Sequence, residues 1–100
     1  MKKESFFVAL RKGSWEKTVG YSFTILGLPD VVWFVYGELN WWSVSEKSTG
    51  LRTKTWGLET RKAAIEHATK TLNEINRDLL KHGIQYSEKV PQELWDSLCD

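Results

Sequence analysis

Aromatic and cationic side chains are the residues of this chain best suited to chemistry at a surface. Six tryptophans occur in one hundred residues, and five of them (Trp15, Trp33, Trp41, Trp42 and Trp56) fall within residues 1–57. Arg52, Lys54 and Trp56 alternate with Leu51, Thr53 and Thr55, so the three share one face of an extended segment. Arg11, Lys12 and Lys17 flank Trp15 in a polar stretch. An indole beside a cation is enriched where proteins dock on proteins. The same pairing also stacks bases and tracks a nucleic-acid backbone. Trp41 and Trp42 are neighbours in a β-prone run and must point to opposite faces, one onto the core and one away from it. The candidate partner-binding set is therefore Trp15, Trp41, Arg52, Lys54 and Trp56, with aromatics as anchors and cations for orientation. Trp33, Trp95 and one of the adjacent pair are expected to fill the core of a thin domain.

Other chemistries find little support. His67 and His82 are about four turns apart on one helix and cannot meet one ion, and the chain holds no C-x-x-C or H-E-x-x-H pattern. No metal and no cofactor is expected. Glu66 and Lys70 form an ordinary i,i+4 pair on a solvent face. Ser43, Ser45, Ser48 and Thr49 surround a hairpin with no histidine near in sequence, and Gly50-Leu51-Arg52 is not a phosphate loop. The expectation is a protein that is not an enzyme.

The elements that must position the aromatics follow from periodicity. Ser5–Leu10 is a short apolar run, expected as a first strand. Arg11–Gly20 is polar and expected as a long connection. Tyr21, Phe23 and Ile25 alternate with Ser22 and Thr24, which makes a half-buried strand. Gly27-Leu28-Pro29-Asp30 signals a turn. Val31–Tyr36 is the most β-prone stretch of the chain. Gly37–Asn40 turns again, Trp41–Ser45 is a fourth strand, Lys47–Gly50 is a tight turn, and Leu51–Trp56 is a fifth strand.

From Thr60 to His82 the pattern changes. Ile65, Ala68, Leu72, Ile75 and Leu79 are spaced 3, 4, 3, 4, a single helical stripe, with Glu66, Lys70, Asn73, Arg77 and Lys81 on the opposite face. Thr60 is the expected N-cap and Gly83 the expected C′ stop, giving one helix of roughly 34 Å. Ile84 and Tyr86 are expected in an extended return, and Pro91 opens a short helix with Leu94, Trp95 and Leu98 inward. The predicted fold is α+β: an antiparallel β-meander of about five strands packed against one long amphipathic helix, with a short C-terminal helix. It is one domain, with the meander at 1–57, the helix at 58–83 and an extension at 84–100. A single helix covers one face of the sheet and leaves the other partly open.

Composition excludes some partners. Net charge is +1, with 41% hydrophobic and 27% charged residues, so the chain is globular and its overall charge selects neither nucleic acid nor membrane. The first 57 residues carry net +3 and the remainder net −2, a mild asymmetry. One cysteine, Cys99, permits no internal disulfide, which suits a reducing cytoplasm. The apolar run near the start is too short for a signal-peptide core, and no stretch approaches the roughly 20 apolar residues of a membrane span.

The segment Trp42-Ser43-Val44-Ser45-Glu46-Lys47-Ser48-Thr49-Gly50-Leu51, followed by Thr60-Arg61-Lys62-Ala63-Ala64-Ile65, resembles a pattern common in small accessory proteins of bacteriophages and mobile elements. The resemblance covers about residues 41–75 and carries no functional residues over. It implies a context in which such proteins bind and block a host factor, including restriction or CRISPR nucleases. The resulting expectation is a small protein-binding module, an anti-CRISPR or anti-restriction type of inhibitor. The alternative is a nucleic-acid-binding accessory domain using the same Trp/Arg/Lys face. A Trp-rich sheet face can also seat a second copy as a homodimer.

Overall fold

Alternating apolar side chains joined by tight turns give the first half of the chain its sheet. The computed structural model describes residues 2–11 and 13–98; Lys12 and Cys99, singled out above, lie outside them. Strands β1 (Lys3–Ala9), β2 (Trp15–Ile25), β3 (Leu28–Glu38) and β4 (Trp41–Glu46) are followed by helices α1 (Arg61–Asn73), α2 (Arg77–Tyr86) and α3 (Gln92–Ser97). The four strands form one antiparallel sheet in the order β1-β2-β3-β4. The α+β meander is as expected; the strand count and the single long helix are not.

The differences in β2 and β3 share a cause: polar and turn-forming residues lie within these strands rather than between them. Trp15 opens β2 rather than lying in a loop, because Trp15–Gly20 pairs residue by residue with Glu4–Ala9. Charged Glu16 and Lys17 sit exposed on that hairpin, where charge is no obstacle to a strand. The next turn is two residues earlier than expected, at Leu26–Gly27, since Ile25 faces Leu28. Pro29 and Asp30 then belong to β3, with Pro29 near the strand start beside a register shift between Phe23 and Ile25.

Residues 51–58 run along β4 without forming a regular fifth strand. Glu46 N donates to Leu51 O, Thr53 N to Val44 O and Val44 N to Thr55 O, while Trp42 and Leu58 exchange two bonds of 2.7 and 2.9 Å. Leu58 is seven positions beyond Leu51 whereas Glu46 is only four beyond Trp42, so the outer segment carries extra residues and bulges.

The expected long helix is two. Thr60 caps α1, its hydroxyl accepting from Ala63 N at 3.0 Å. The chain then leaves helical geometry at Asn76, whose side chain accepts from Asp78 N and Leu79 N and starts α2 afresh. Gly83, Ile84 and Tyr86 lie within α2, so Gly83 is no stop and the extended return expected at Ile84 and Tyr86 is helical, the chain becoming extended only at Ser87. Pro91 precedes α3 as its N-cap, one position from its expected place.

Two cores result. On one face, Ala64, Ala68 and Leu72 of α1 pack on Trp33, Val35 and Val44. Small alanines let the helix lie close to the sheet. The opposite face was expected to be partly open and is instead closed by curling. Phe6 of β1 and Phe34 of β3 stack at 4.4 Å, nearly parallel, although a whole strand lies between them. Adjacent strands are about 4.8 Å apart, so the rings meet only over a sharply bent β2. Gly20 is at that bend, and a Cβ there would lie 2.4 Å from the Val35 carbonyl oxygen. Ala9 N donates to Gly50 O, tying β1 to the chain just past β4 and completing the curl.

Candidate functional site

The β3–β4 hairpin and the bulged segment beside it build an exposed aromatic patch. A two-residue turn at Leu39–Asn40 delivers Trp41 to the first position of β4. Strand alternation sends Trp42 toward the core, where it is half-buried, and leaves Trp41 57% exposed. The paired bonds between Trp42 and Leu58 hold the outer segment against this end of β4, which sets Trp56 beside Trp41. The two indoles meet at 5.6 Å with a tilt of 59°, and Trp56 is 53% exposed. Gly57, at φ 73, gives the Trp41 ring its seat: a Cβ there would come within 3.1 Å of the indole. Arg52 places its guanidinium 5.5 Å from the Trp56 ring centre, a cation–π arrangement. Leu39 at the hairpin tip is 87% exposed and extends the apolar surface.

Three of the five sequence-selected residues, Trp41, Arg52 and Trp56, thus come together. Lys54 is exposed on the same segment and, with Arg52, borders a cleft beside α2. Trp15 is not part of the patch. Its indole N–H donates to Thr49 O at 2.9 Å, locking the 47–50 turn at the other end of β4, roughly 15 Å along the strand from Trp41. Its partial burial and satisfied donor make it a latch for the curl. Leu39 was not singled out from the sequence; its place in a two-residue hairpin turn is the signal that would have exposed it.

The hydroxyl groups near the 47–50 turn are structural. The Ser48 and Thr49 hydroxyls donate to the Glu46 carboxylate at 2.7 and 2.9 Å, and the Ser48 and Thr49 backbone N–H groups donate to it as well. Ser45 is fully buried and donates to the Tyr36 hydroxyl at 3.0 Å. Thr55 Oγ1 lies 2.7 Å from His67 Nδ1, the geometry of a hydroxyl nucleophile beside a base. Thr55 has no exposed surface, however, so no substrate reaches it. The pair ties the bulged segment to α1.

Among the described residues, no group of three or more His, Cys, Asp and Glu side chains is placed to hold a metal ion. No helix among them is long and apolar enough to cross a membrane. No family model, curated protein or solved structure matches this chain.

Proposed function

We propose that this protein is a small non-enzymatic binding module that docks on another protein through the Leu39–Trp41–Trp56–Arg52 patch. The observation that carries this reading is the pair of half-exposed indoles at 5.6 Å with a guanidinium over one of them. Surface tryptophans are expensive to leave in water, and two held rigidly side by side lose little entropy on docking. Arg52 orients the partner and favours an acidic rim. The edge of β4 is already occupied by residues 51–58. Steric occlusion by the patch therefore fits better than pairing of a partner strand at that edge. The partner class to test first is the one implied by the phage-type resemblance, a host defence nuclease in the cytoplasm.

Replacing Trp41 or Trp56 with Ala should weaken partner binding by at least ~2 kcal/mol, about thirtyfold, without changing the unfolding midpoint. Variants that unfold would show the indoles to be structural and end this reading. Ionic strength separates the nucleic-acid alternative: phosphate contacts make affinity fall steeply with salt. A complex captured from a bacterial lysate that survives nuclease and high-salt washing supports the protein partner. Recovery of nucleic acid alone, lost on nuclease treatment, supports the alternative.

A further inference from the structure

A cleft of about 460 Å³ opens between residues 51–54, the end of α1 and α2. Its volume is within the range of roughly 300–1,000 Å³ that holds small ligands. Its floor and walls are apolar, built from Trp33, Leu72, Ile75, Leu80 and Ile84 among others. The polar side chains that line it are mostly consumed by the fold. Glu46 accepts four bonds from the 48–49 turn. The hydroxyls of Thr53, Thr71 and Ser87 donate to the Val44, His67 and Gly83 carbonyls.

The exposed charged groups on the lining are both cationic. Trp33 is 1% exposed, and its indole N–H is the buried side-chain polar atom among the described residues that has no hydrogen-bond partner. A buried N–H without an acceptor is disfavoured and rare in folded proteins. Arg52 and Lys54 add two positive charges to the same lining. Trp33 forms part of the apolar lining, and an apolar cleft bordered by two cations is complementary to a ligand with an apolar body and a negatively charged group. We propose that this cleft binds a single-chain amphiphilic carboxylate, the chain lying among Leu72, Ile75, Leu80 and Ile84 and the carboxylate drawn by Arg52 and Lys54. The site shares Arg52 with the indole patch, but its apolar lining does not include Trp41 or Trp56, and its occupancy does not depend on the protein-docking reading.

The test uses the full chain with indole nitrogen labelling, so that the Trp33 N–H resonance reports directly, identified by its loss in Trp33→Phe. Dodecanoate, dodecanol and dodecyltrimethylammonium are titrated below their aggregation concentrations. Dodecanoate is expected to shift the Trp33 resonance saturably, with an affinity at least ~10-fold above that of the alcohol and the cationic chain, because only the anion meets the cations. Ile84→Trp, which fills the cleft from a half-exposed helical position, is expected to weaken dodecanoate at least ~10-fold while the far-UV spectrum stays that of the parent. Equal affinity for the three chains overturns the anionic assignment. An unmoved Trp33 resonance, or full binding in Ile84→Trp, overturns the site. A resonance that moves with protein concentration alone assigns the cleft to a second copy and overturns the small-ligand proposal. Partner binding is read in Trp41→Ala and Trp56→Ala without an added chain ligand, and the cleft is read at Trp33 and Ile84, so the two readings fail separately.

Discussion

Helices α1 and α2 continue one apolar stripe in the sequence, yet they stand in opposite relation to the core. α1 buries Ala64, Ala68 and Leu72 at 0, 0 and 3% exposure against β3 and β4. α2 is the more amphipathic of the two and buries no residue of its own; Leu79 is 69% exposed. Burial is therefore not a property of the stripe. It is decided by what the helix lies on. α1 has the sheet beneath it, whereas α2 borders a cleft and meets the core only through the half-buried Leu80 and Ile84. At its start, Arg77 donates to the Gly27 carbonyl at 2.6 Å. The stability of the domain thus resides in α1 and the sheet, and α2 is a wall that can be perturbed with little effect on the whole.

Matched truncations should break or confirm this contrast. Leu72→Ala removes a buried side chain from the α1 face and is expected to cost about 2–5 kcal/mol. The identical change at Leu79 should stay within about 0.5 kcal/mol. Urea unfolding of both variants decides the matter; similar losses would mean that α2 carries as much of the core as α1 does. Next in size is Ala68→Leu. Ala68 has no exposed surface, and the added carbons must push α1 off Val35 and Val44, at about 1–3 kcal/mol. A lower midpoint with unchanged slope is the expected result.

The sequence showed part of this plan and hid part, for identifiable reasons. The meander was legible because its turns fall between alternating runs. The opposed exposures of Trp41 and Trp42 follow from strand geometry alone. The helix break was hidden because Ile75 and Leu79 keep the helical spacing across it. The competing signal was Asn76 with Asp78 two residues on, an N-cap and an acidic first turn inside the stripe. The bulges that spoil a fifth strand leave the alternation of residues 51–56 intact, so periodicity could not detect them. Likewise the curl that closes the second face depends on Gly20 approaching the Val35 carbonyl, a contact between strands. At the candidate site, residue type and parity pointed to Trp41, Arg52 and Trp56, which lie side by side in the structure. Trp15 lies apart from them, its indole N–H donated to a carbonyl 34 residues away, a contact between distant segments that periodicity does not report.

The smallest expected effect is the most discriminating. Thr60 and Asn76 do the same chemistry: each side-chain oxygen accepts from backbone N–H groups of the first turn of its helix. Replacing either by Ala removes an N-cap worth about 1 kcal/mol to its own helix. The readouts should nevertheless differ. α1 unfolds only with the sheet it covers, so Thr60→Ala lowers global stability by that amount. α2 rests on few buried contacts and opens by itself, below the free energy of global unfolding. Asn76→Ala should therefore leave the urea midpoint almost unchanged and speed amide exchange along Arg77–Tyr86 by about fivefold, the equivalent of ~1 kcal/mol. Exchange at α1 amides should be unaffected. If Asn76→Ala instead slows refolding or lowers the midpoint as Thr60→Ala does, the two helices act as one cooperative unit, and the cleft between α2 and the sheet is a fixed part of the fold.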